Sequence, residues 1–99
     1  MSAAIVGGLE AQADGLLFQC ELSGTILQCG IFEQPLRDLI NFHHDDSTEN
    51  EIYRAVLSEM QRIVTAKYRS GRFEDNGWIV IWPADLLRFG YWRRVSSAA

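Results

Sequence analysis

The apolar residues of this chain follow a period of two between Leu16 and Phe32 and a longer, helical period from Pro35 to about Ser70. Leu16, Phe18, Cys20 and Leu22 alternate with neighbours of the other side, and Leu27, Cys29 and Ile31 do the same between Thr25 and Phe32. Such alternation marks a half-buried strand. Ser23-Gly24 separates the two runs, and its glycine tolerates the positive φ of a two-residue hairpin turn. That turn pairs Leu22 with Thr25, Cys20 with Leu27, Phe18 with Cys29 and Leu16 with Ile31. Every apolar partner then lands on one face, as a half-buried hairpin requires.

The spacing then becomes helical. Pro35 suits a first helical turn, and Leu36, Leu39, Ile40 and His43 recur on one side of it. After the polar break His43-His44-Asp45-Asp46-Ser47, Thr48 and Glu51 form the capping-box signature of a second helix. That helix is predicted to run to about Ser70, with Gly71 as its stop. Its apolar stripe is Tyr53, Val56, Leu57, Met60, Ile63, Val64 and the stem of Lys67. Asn76-Gly77 marks a turn before Trp78-Ile79-Val80-Ile81-Trp82, a strand apolar on both faces. Pro83 ends it, and Ala84 to Leu87 start a short helical turn.

Residues 1–14 are rich in Ala and Gly without a clear period, and read as a flexible arm or a weak edge strand around Ile5-Val6. The expected fold is α+β. It has a three-stranded antiparallel sheet, four-stranded if the arm joins, with elements in the order β-β-α-α-β and two helices on one face. Residues 15–87 make a single domain, and residues 88–99 form a basic, aromatic tail.

Composition adds bounds. With 99 residues, 47% of them hydrophobic and 22% charged, the chain has the make-up of one ordinary globular domain. No apolar run approaches the roughly 18 residues of a membrane-spanning helix. The segment before Asp14 carries no lysine or arginine, so it lacks the basic start of a secretory signal. A cytoplasmic protein with no membrane partner is expected, and there Cys20 and Cys29 are free, buried thiols. The net charge of −4 is unevenly spread, because Arg37 is the sole base before residue 51. Overall acidity argues against a general nucleic-acid coat, while the basic second half leaves room for a local patch.

Candidate chemistry is sparse. His43, His44, Asp45 and Asp46 hold potential metal ligands, but adjacent residues diverge on regular elements, and a polar helix end with a solvated loop accounts for them. Nothing reads as a nucleophilic elbow, a phosphate loop or a zinc-protease helix. No catalytic, cofactor-binding or metal-ligating residue is nominated, no cofactor is expected, and an enzyme is not the favoured class.

The tail is less ordinary. Arg88, Phe89, Tyr91, Trp92, Arg93 and Arg94 mix aromatic and guanidinium groups. That mixture suits packing on the chain's own sheet with snorkelling arginines, a protein or subunit interface, or stacking on nucleic-acid bases. Trp78 and Trp82 share one side of their strand, with Val80 between them. They fit packing against the helix stripe or a second subunit better than a paired-tryptophan ligand platform.

Several short motifs stand in order: Phe18 to Gly24 leading into Gln28-Cys29-Gly30-Ile31, Leu36-x-x-Leu39, and Ile63-Val64-Thr65-Ala66-Lys67-Tyr68-x-x-Gly71. Gly77-Trp78-Ile79-Val80-Ile81 and Asp85-Leu86 follow. Over residues 15–87 this series resembles a family of short bacterial proteins known as domain of unknown function 1488. The resemblance implies a small α+β fold and brings no activity, cofactor or site with it. The functional expectation is a non-catalytic binding or adaptor module with an unknown protein partner. It acts as a homodimer that buries Trp78, Trp82 and the tail. The alternative is a nucleic-acid-associated protein using Arg88, Arg93 and Arg94.

Overall fold

A computed structural model describes residues 2–43 and 48–88. Three consecutive strands, β1 (Ala4–Gln12), β2 (Gly15–Leu22) and β3 (Thr25–Phe32), form an antiparallel meander. Ser23 and Gly24 both take positive φ, 52° and 81°, which gives the turn the twist of its flanking strands. The hairpin register is the expected one, with Leu22 opposite Thr25, Cys20 opposite Leu27, Phe18 opposite Cys29 and Leu16 opposite Ile31.

The chain continues through α1 (Glu33–Phe42) and α2 (Glu49–Arg69) to β4 (Ile79–Ile81) and α3 (Pro83–Arg88). Thr48 caps α2 through the full capping box with Glu51. The Thr48 hydroxyl, followed by its backbone N–H, hydrogen-bonds the Glu51 carboxylate and holds it below its ordinary value. Gly71 follows the helix with φ 69°.

The sheet order is β1-β2-β3-β4, and here the wholly antiparallel sheet is corrected. β4 runs parallel to β3, with Cys29 beside Ile79, Gly30 beside Val80 and Ile31 beside Ile81. A tight turn would have forced an antiparallel neighbour. The connection through residues 33–78 contains two helices, and a crossover of that length permits a parallel return. The element order is therefore β-β-β-α-α-β-α, and the sheet is mixed.

β1 explains its own weak pattern. Its register against β2 shifts between Val6 and Glu10, and Gly7 has φ 70°, so a bulge breaks the period of two. Ile5 and Leu9 nevertheless pack against the core. α2 meets this edge with side chains: Thr65 Oγ1 accepts the Ala3 N–H at 2.8 Å, and Gln61 Oε1 accepts the Ile5 N–H at 2.8 Å.

The core lies between one face of the sheet and the helices. Phe18, Cys20, Cys29, Ile31, Ile79 and Ile81 are buried from the sheet side, and Leu39, Val56, Met60, Ile63, Val64 and Leu86 from the helical side. Gly15 opens β2 where the backbones crowd. A Cβ there would sit 2.0 Å from the Ile31 carbonyl oxygen. One stripe residue departs from expectation. Tyr53 is 55% exposed, because the first turns of α2 border an open groove rather than the sheet.

Candidate functional site

Alternation in β2, β3 and β4 gives every inward residue an outward neighbour. Outward positions form rows across the sheet: Glu10, Leu17, Gly30 and Val80 in one, and Val6, Gln19 and Gln28 in the next. Trp78, just ahead of β4, borders both rows. It shares a cavity of about 240 Å³ with Leu17, Gly30, Phe32 and Val80. A more polar one of about 250 Å³ lies between Trp78 and Gly8, Glu10, Gln19 and Gln28.

Gly30 is what makes the first hollow. With no side chain, it leaves a floor of bare backbone between Leu17 and Val80. A Cβ added there would meet Leu17 Cδ2 at 3.4 Å and Val80 Cγ2 at 4.0 Å. At one end of the face Ile26 is 49% exposed. At the other, the Phe32 and Trp82 rings pack with centroids 4.5 Å apart, tilted by 46°. An apolar strip thus runs from Trp78 past Leu17 and Val80 to the Phe32–Trp82 pair, with Glu10 beside it and the Gln19–Gln28 row between it and Ile26.

Two anchors hold Trp82. Its indole Nε1–H donates to Glu74 Oε2 at 2.9 Å, and its backbone N–H donates to Asp85 Oδ2 at 2.8 Å. The same Asp85 oxygen accepts from Lys67 Nζ at 2.7 Å, and Lys67 Nζ also donates to the Val80 carbonyl at 2.7 Å. This ion pair is deeply enclosed, with side chains 4% and 9% exposed. Asp85 stands at the third residue of α3, where a carboxylate reaching back to the residue before the helix caps it.

The structure brings Trp78 and Trp82 to the outer face, away from the helix stripe of α2. Arg88 is exposed at the end of α3. Phe89, Tyr91, Trp92, Arg93 and Arg94 lie outside the described residues, as do His44, Asp45 and Asp46. Reading the chain alone missed Leu17, Ile26 and Phe32 as surface partners of the tryptophans. The signal was available: once Leu16, Phe18 and Leu27 face inward, Leu17 and Ile26 must face outward. The Lys67–Asp85 pair was missed as well, although a lysine within an apolar stripe demands a buried partner.

On the helical side, Leu9, Leu16, Leu36, Ile52 and Leu57 line a groove of about 510 Å³ with Tyr53 at its mouth. In the core, Cys20 and Cys29 are free thiols in contact. The hydrogen bond to Cys20, and then burial, push the Cys29 thiol above its ordinary range. A thiol kept protonated and enclosed behaves as a small apolar side chain. No protein-family model, curated protein or solved structure matches this chain.

Proposed function

We propose that the chain is a non-catalytic binding module that acts as a homodimer, with the outer sheet face as the dimer contact. The observation that carries this reading is the apolar strip through Trp78, Leu17, Val80 and the Phe32–Trp82 pair. An open sheet face normally carries polar residues at its outward positions. Here the polar residues flank an apolar centre, the arrangement of a subunit interface with a polar rim. Tryptophan at its centre fits the residue types that dominate binding energy. A domain of 99 residues buries only a modest part of its surface alone, so association adds stability. The reading extends to Arg88 and to Phe89, Tyr91, Trp92, Arg93 and Arg94 beyond it.

Membership of the family known as domain of unknown function 1488 belongs to the same proposal. Two of its motif residues, Lys67 and Asp85, form the buried ion pair, which gives those motifs a shared structural reason.

Sedimentation velocity at tens of micromolar tests the reading. The full chain is expected to run as a dimer, and Trp78→Ser as a monomer. Tyr53→Ser, on the opposite side of the molecule, is expected to leave the dimer intact. A monomeric parent chain with Trp78 shielded from quenchers sinks the proposal, and so does dissociation by Tyr53→Ser alone. Binding to nucleic acid that falls steeply with salt moves the reading to the alternative carried by Arg88, Arg93 and Arg94.

A further inference from the structure

The Lys67–Asp85 pair sits inside the molecule, yet both of its backbone contacts belong to the segment that carries the outer face. Lys67 Nζ holds the carbonyl of Val80, and Asp85 Oδ2 holds the N–H of Trp82, one residue on either side of Ile81. One carboxylate oxygen therefore links a lysine of α2 to the backbone from which the Trp82 ring projects. The ring completes the chain of contacts through Glu74 and Phe32.

Stability by itself does not require ionic chemistry at an enclosed position. Well-packed apolar residues of similar volume often replace a buried ion pair with no loss of stability. An apolar filler, however, selects neither a particular carbonyl nor a particular N–H. The pair does both, and so sets the path of residues 80–82 where β4 hands over to α3. We propose that Lys67 and Asp85 are positioning residues of the interface: they touch no partner, and they set the angle at which Trp82 meets a second copy. The inference rests on the homodimer reading and deepens it, since it assigns control of the contact surface to two enclosed residues.

The test uses the full chain with ¹⁵N-labelled indoles, the Trp82 Nε1–H signal being assigned with Trp82→Phe. The double variant Lys67→Met/Asp85→Leu keeps the enclosed volume filled. It is expected to stay folded while the Trp82 signal shifts or broadens and self-association weakens about tenfold or more. An unchanged Trp82 signal with unchanged association overturns the proposal. A second pair of variants covers failure of the double variant to fold. Asp85→Asn keeps an acceptor for the Trp82 N–H and is expected to retain the Trp82 signal that Asp85→Ala loses. Identical behaviour of those two also overturns it. If the parent chain is monomeric, the homodimer reading fails, whereas the Trp82 signal still decides whether the pair positions the ring.

Discussion

The two faces of the sheet are built from the same strands and differ in what meets them. The inner face presents Cys20, Cys29, Ile79 and Ile81 with no exposure at all, under α1, α2 and α3. The outer face presents Leu17 and Val80 half-buried and Ile26 and Trp82 exposed. A one-residue step along β3, from Cys29 to Gly30, moves from the packed core to the covered floor of a hollow between Leu17 and Val80 on the other face. Hydrophobicity by itself therefore does not separate core from outer surface here. The separation comes from whether another element of the chain reaches the face.

Variants that break this contrast are expected to have the largest effects. In Gly15→Ala the new Cβ would press on the Ile31 carbonyl. The end of β3 would have to shift, moving inward Ile31 and outward Phe32 together. We expect a loss of more than about 4 kcal/mol in denaturant unfolding, with disorder on both faces. Lys67→Met strands the enclosed Asp85 carboxylate and is expected to cost about 3–4 kcal/mol by the same measurement.

Variants that sharpen the contrast act on one face. Met60→Ala leaves a cavity above the inner face and should lower stability by about 2–3 kcal/mol, with self-association unchanged once the chain is folded. Ile26→Ser should change the stability of the subunit by less than about 0.5 kcal/mol and, on the proposed homodimer, register instead in self-association. The smallest effect belongs to neither face. Because the Glu51 carboxyl titrates below its ordinary 4.5 in the folded chain, its cap is in force above that value. It weakens as the pH falls through the lower folded value. Thermal melts of Glu51→Gln should lack this acid-side loss.

How far these features were legible in the chain depends on the range of the interaction. The hairpin was legible to the residue, because a two-residue turn and a period of two specify one register between them. The capping box of α2 was legible for the same reason, since its partners lie three residues apart. The direction of β4 was not, because its pairing with β3 spans two helices. Tyr53 shows a different limit: helical periodicity assigns a residue to a stripe without saying whether anything lies opposite. The candidate surface was half legible. Trp78 and Trp82 announced themselves, whereas Lys67 and Asp85 stand on different helices and pair only once α3 has docked.

Gln61 and Thr65, which accept the N–H groups of Ile5 and Ala3, have a consequence for the order of synthesis. All three strands of the meander leave the ribosome before these residues of α2 exist. During that interval the N–H groups of Ala3 and Ile5 have no internal partner among the residues described, and a bare strand edge is a template for a neighbouring chain. Docking of α2 satisfies these two donors, and Lys67 satisfies the Val80 carbonyl on the far side of the sheet. The nascent chain is thus most prone to stick to its neighbours before its longest helix is complete, and conditions that slow elongation between residues 32 and 67 should raise the insoluble fraction.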